Sequence, residues 1–158
     1  TDTQENAYVL KAGETEAPKF LQEAFEKGLQ LMDDLTMQYK TGRTGNEMLA
    51  SALKKAKAEG LKPTIYTHPI GYHGHGAGPT IGLWDQQGGV PHRGDYPLYP
   101  NTAYSIELNT AVFLDEWNKE IRMMMEEDAF FDGESIRYID GRQVELLLIP
   151  RPKHHLGK

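Results

Sequence analysis

The side chains in this sequence best able to do chemistry are histidines and carboxylates. The run Gly71-Tyr72-His73-Gly74-His75-Gly76-Ala77-Gly78 sets two imidazoles among glycines. Neutral imidazole is a good ligand for a divalent metal, and glycine lets the backbone approach a bound group closely. Taken alone, the run also reads as a glycine-rich loop with surface histidines. Glu107 lies in the segment Thr102 to Leu108, where alternation puts Tyr104, Ile106 and Leu108 on one face and Ala103, Ser105 and Glu107 on the other. A buried carboxylate without a partner is costly, so burial of Glu107 would imply a metal or a base beside it, and exposure would imply an edge strand. Glu126-Glu127-Asp128 interrupts the hydrophobic segment Ile121 to Phe131, as a strand end reaching water or as a ligand. The chain has no cysteine, so a metal would be held by imidazole and carboxylate alone.

These residues need elements to carry them. A length of 158 residues fits one domain with a real core. A net charge of -6 argues against a nucleic-acid partner, because phosphate recognition needs a basic face. No apolar run approaches the ~20 residues that cross a bilayer, so no membrane partner is expected, and the compartment stays undecided. Asn6 to Leu10 reads as a strand leaving a sheet, with Thr1 to Gln4 before it resembling mid-sheet sequence. Leu21, Phe25, Leu29, Met32 and Leu35 recur at helical spacing after Pro18. Thr44 and Glu47 have capping-box spacing at the head of a second helix, which Gly60 ends. From His68 to Pro100 the chain is rich in Gly, Pro and His and holds four of its six histidines. A loop that long in a compact domain is either functional or disordered, so chemistry is sought there. Thr102 to Val112, Glu120 to Phe131 and Val144 to Ile149 are β-rich, with turns at Asp132-Gly133-Glu134 and Asp140-Gly141. The order predicts an α+β fold, helices on one face of a mostly antiparallel sheet, over residues 1–150, with a solvated tail at 151–158.

In their order along the chain, these motifs resemble the pita-bread metallopeptidases: methionine aminopeptidases, prolidases and Xaa-Pro aminopeptidases. Thr1-Asp2-Thr3-Gln4 resembles that family's Ser-Asp-Ile-Thr, Gly74-His75-Gly76-Ala77-Gly78 its Gly-His-Gly-Ile-Gly, Pro100 to Glu107 its Pro-Gly-Met-X-X-X-X-Glu strand, and Glu126-Glu127-Asp128 followed by apolar Ala129-Phe130-Phe131 its last ligand strand. The resemblance implies metal ligands at Asp2, His75, Glu107 and Glu126, with Glu107 as the base that takes a proton from the attacking water. It implies a curved pita-bread sheet and two divalent ions, Mn²⁺ being favoured by an oxygen-rich shell with Co²⁺, Fe²⁺ or Zn²⁺ as alternatives. The expected reaction is hydrolysis of the bond after an N-terminal residue of a peptide substrate, most of all before proline.

The departures are informative. The family's first Asp belongs about a hairpin before Asp2, outside this sequence, so the chain is expected to be a C-terminal part of the domain that binds metal weakly and is a poor catalyst by itself. A second family histidine is replaced at Asp85 or Gln86, and of His68, His73 and His92 the best substitute is His73, which must lie near His75. The last ligand is ambiguous, because alternation groups Glu127 with Met123, Met125 and Ala129 whereas the motif selects Glu126. A non-catalytic protein-binding relative and a metal-free creatinase-like hydrolase are the alternative functions. Loss of the preceding strand predicts an open edge at Thr1 to Leu10 that recruits a second copy of the chain or a separate N-terminal polypeptide.

Overall fold

Helical periodicity and capping act first. The computed structural model describes residues 2–150, and the tail at 151–158, like Thr1, lies outside them. Helix α1 (Lys19–Thr36) starts directly after Pro18 and buries Leu21, Phe25, Met32 and Leu35, the spacing seen in the sequence. Helix α2 (Gly45–Ala58) opens on a closed capping box: the Glu47 N–H donates to Thr44 Oγ1 at 3.1 Å, and the Thr44 N–H donates to Glu47 Oε2 at 2.8 Å. Met48, Leu49, Ala52, Leu53 and Ala56 form its buried stripe.

The strands are β1 (Ala7–Val9), β2 (Pro63–Ile65), β3 (His68–Gly71), β4 (Gly74–His75), β5 (Thr102–Leu114), β6 (Lys119–Phe131), β7 (Ile136–Tyr138) and β8 (Leu147–Ile149). The main sheet runs β4-β3-β5-β6-β7, all antiparallel, with β2 added alongside β5. Its spine is the long hairpin of β5 and β6, whose register sets Glu107 opposite Glu126 and Ser105 opposite Asp128. One face of this hairpin is apolar. Tyr104, Ile106, Leu108, Met123, Met125, Ala129 and Phe131 are all buried, and they join the buried faces of α1 and α2 in one core. The pleat therefore turns Ser105, Glu107, Glu126 and Asp128 to the opposite face, away from the helices. This is the expected α+β architecture with helices on one side of the sheet.

Two expectations change. The Gly/Pro/His-rich segment is not all loop, because His68 to His75 folds into the β3–β4 hairpin on the sheet edge. The segment at residues 2–10 also finds partners within the chain, on one side of it. Gln4 bridges Glu126, and β1 lies parallel to β8 in a small sheet of its own. Gln143 clamps the two chain ends together, accepting from the Asn6 N–H at 2.7 Å and donating to the Asn6 carbonyl at 2.6 Å. An internal strand thus takes one edge on which strand addition from another polypeptide was expected.

Thr67 connects the core to the functional face. Its backbone turns away from β5 to pair with Ile81. Its hydroxyl fills the gap, donating to the Glu107 carbonyl and accepting from the Glu107 N–H, each at 3.0 Å. Thr67→Val keeps the shape but leaves the Glu107 N–H without this acceptor. We expect a loss of about 1–3 kcal/mol in urea unfolding, the usual penalty for an orphaned buried donor.

Candidate metal centre

β-Strand alternation builds the site. Ile65 and Thr67 are fully buried toward the core, which gives Tyr66 and His68 the other face. His68 is 8% exposed and stands at the centre of the polar cluster. Its Nδ1 lies 3.1 Å from the Pro69 carbonyl oxygen. A carbonyl can only accept, so Nδ1 carries the proton and the lone pair of the neutral ring sits on Nε2. That Nε2 is buried and has no hydrogen-bond partner. It lies 3.6 Å from Glu107 Oε2 and 3.8 Å from Asp2 Oδ2. His75 reaches the same aspartate oxygen, with Nε2 at 3.6 Å, and its ring stacks on that of His68 with centroids 3.7 Å apart.

The carboxylates are held in place from behind. Ser105 Oγ donates to Glu126 Oε1 at 2.9 Å, and the Asp2 N–H lies 3.2 Å from both oxygens of Asp128. Glu126 is partly withdrawn from water beside Glu107 and Asp2, so burial first and then like charge push its pKa up to about 7. Burial alone would depress His68, but attraction to Glu107, the Pro69 carbonyl and Asp2 prevail and its pKa is raised.

Donor atoms of Asp2, His68 and His75 form one group, and those of His68, Glu107 and Glu126 a second, each gathered within 4.8 Å. Bonds of about 2 Å to a divalent ion put two of its ligands no more than ~4 Å apart. The three His–carboxylate distances meet that limit. A buried, correctly tautomerised imidazole with no partner, ringed by carboxylates, fits a metal ion better than it fits an empty polar pocket.

Of the residues singled out in the sequence, Asp2, His75, Glu107 and Glu126 meet here. His73 does not. It is exposed on the turn between β3 and β4 with its ring edge-on to Tyr72, because Tyr72 and His73 form the turn itself and stand outside the strand alternation that directs His75. His92 and Asp85 are also exposed. The pleat separates the two glutamates in doubt: Glu126 shares the His68 face, while Glu127 is buried on the core side, where its carboxylate accepts from the Gln143 N–H at 2.7 Å. One contributor was ranked too low and one was missed. His68 was weighed as a substitute histidine and set below His73, although an odd, three-residue step from apolar Ile65 puts it on the opposite face of a strand. Asp128, two residues beyond Glu126 and so on its face, holds the Asp2 backbone. The glycines of the His-rich run also let strand approach strand. A Cβ on Gly76 would lie 2.8 Å from both the Gly71 nitrogen and the Ile70 carbonyl carbon.

A cleft of about 550 Å³ opens on the cluster, walled by Tyr66, His68, His75, Trp84, Arg93, Tyr96 and Glu107 among others. Together, fold and site define an α+β domain of pita-bread type carrying a histidine–carboxylate cluster at one end of its sheet. Solved structures that superpose on this chain include an X-Pro aminopeptidase and two dipeptidases. The X-Pro aminopeptidase of Thermotoga maritima superposes with a TM-score of 0.65 at 19% identity, over 94% of this chain and 38% of its own. For the Xaa-Pro dipeptidase of Bacillus anthracis the values are 0.62, 20%, 94% and 37%, and for dipeptidase PepE of Mycobacterium ulcerans 0.62, 16%, 94% and 36%. The chain therefore spans less than two fifths of the length of these proteins, and the likeness establishes the fold. No family model and no curated protein sequence matches the chain.

Proposed function

We propose that this chain carries the metal-binding part of a peptidase that hydrolyses the bond after an N-terminal residue, with Xaa-Pro peptides as substrate class. The observation that carries the reading is the convergence of Asp2, Glu107, Glu126 and His75 on the unpartnered Nε2 of His68. Two divalent ions bound there would acidify water and polarise a peptide carbonyl. Glu107 stands at the cleft wall beside His68, positioned by Thr67, and accepts the proton of the attacking water. Ser105 keeps the Glu126 carboxylate turned to the same point. Trp84 and Tyr96 give the cleft an aromatic wall suited to the apolar ring of proline.

Slow release of proline from an Xaa-Pro dipeptide on addition of a divalent ion, abolished by Glu107→Gln, is the expected result. Hydrolysis that survives a chelator or Glu107→Gln would sink the reading. One observation favours a second reading, a non-catalytic peptide-binding module: exposed Trp84 and Asp85 occupy the stretch where the resembling enzymes carry a substrate histidine. Peptide binding that saturates with metal present, without any turnover, would select it.

A further inference from the structure

We propose that Tyr66 is a catalytic residue of this site, its phenol O–H donating a hydrogen bond to the substrate carbonyl oxygen as that oxygen becomes an anion, with Asn109 as the residue that positions it. This rests on the peptidase reading above and adds the group that meets the developing charge. The direction of the phenol proton follows from a chain of contacts on the sheet. Arg122 Nη1 lies 2.8 Å from Asn109 Oδ1 and 3.3 Å from Thr64 Oγ1. A guanidinium can only donate, so the oxygen of the Asn109 amide faces Arg122 and its NH₂ faces the other way. There Asn109 Nδ2 donates to Tyr66 Oη at 3.1 Å. The phenol oxygen accepts toward Asn109, so its own proton must point elsewhere, and among the described residues it is given to no acceptor.

Position supplies the recipient. Tyr66 directly follows β2, and its N–H donates to the Glu107 carbonyl at 3.1 Å, so the two side chains stand side by side on the functional face. Both line the cleft, whose other hydroxyl donors, Thr80 and Tyr96, come from the segment after β4 rather than from the sheet that bears Glu107. Burial raises the phenol pKa above its ordinary value, so at neutral pH the group is a neutral donor. When water loses one proton to Glu107 and adds to the peptide carbon, the carbonyl π electrons move to the oxygen, one bond away from the attacked atom. A donor beside Glu107 stands where that charge forms. The C–N bond then breaks, and the amine leaves with the proton that Glu107 had taken. Tyr66 keeps its own proton throughout, and only its hydrogen bond strengthens.

Two probes separate this role from a structural one. The full chain with MnCl₂ is titrated in a calorimeter with a phosphinic analogue of an Xaa-Pro dipeptide, whose tetrahedral P–O⁻ stands for the anionic oxygen, and cleavage of the dipeptide itself is followed by release of proline. Tyr66→Phe should bind the analogue at least about tenfold more weakly and lower kcat roughly 100-fold, with KM and Mn²⁺ affinity each changed less than about threefold. Asn109→Asp retains the phenol but offers it an acceptor, which turns its proton out of the cleft, and should reproduce both losses with KM unchanged. Analogue affinity in Tyr66→Phe equal to that of the unmodified chain, or Mn²⁺ binding weakened as much as the analogue, overturns the role of Tyr66 and leaves the peptidase reading standing. Asn109→Asp behaving like the unmodified chain overturns the positioning role of Asn109. An unmodified chain that does not bind the analogue in the presence of Mn²⁺ overturns the peptidase reading and this inference together. If the chain binds the analogue without cleaving the dipeptide, the analogue affinities alone decide.

Discussion

Replacing His68 by alanine is expected to lower the affinity for a divalent ion by about 100-fold or more, a larger effect than removing any one carboxylate. The reason is positional. His68 belongs to both donor groups, and its Nε2 is the buried atom that the carboxylates surround. Glu107 and Glu126 can each lean on the other, but without the imidazole the carboxylates face one another with nothing between them. His73→Ala makes the contrast, and its metal affinity should equal that of the unmodified chain because the ring lies outside on the turn. Calorimetry on both variants, with circular dichroism to verify folding, measures the difference. Equal affinities for His68→Ala and the unmodified chain would remove His68 from the centre.

The second large effect is on pH. Glu126 has its pKa pushed up to about 7 and that of His68 is raised, so both hold protons in the folded chain at pH values where the unfolded chain has released them. Folded-state pKa values above the unfolded ones mean that this stability is complete at low pH and is lost as pH rises. For Glu126 the window runs from about 4.5 to about 7, and for His68 it begins near 6.5. A metal ion must displace these protons, so its affinity should fall as pH drops through about 7, by roughly tenfold per pH unit for each proton released. Two consequences can be measured by thermal melting. Without metal, the melting temperature should decline between about pH 5 and pH 8, and Glu126→Gln should flatten the decline. With saturating metal, the rise in melting temperature should grow across the same interval. A metal-induced rise that is the same at both ends would contradict the assignment of Glu126.

Local pattern in the sequence determined a good deal. The spacing of Leu21, Phe25, Met32 and Leu35 sufficed for α1, and Thr44 with Glu47 for the start of α2, since helix periodicity and capping involve residues within one or two turns. Alternation in Tyr104, Ile106 and Leu108 likewise told the core face of β5 from the face of Glu107, because neighbouring side chains on a strand must point oppositely. The resemblance picked out Asp2, His75, Glu107 and Glu126, which the fold does bring to one place. Pairing was beyond the reach of local pattern. That Glu107 faces Glu126 across a hairpin, that β1 finds β8, and that Asp128 holds the Asp2 backbone are contacts between residues far apart in the chain, set by how strands register. The histidines show the division most clearly. His68, His73 and His75 are one chemical type within eight positions. Only the turn of the chain at Thr67 and the hairpin after it decide that the first is buried with its lone pair aimed at carboxylates, the second faces water, and the third stacks above the first. Burial and direction are properties of the packed sheet, so ligand and bystander separate only once it has formed.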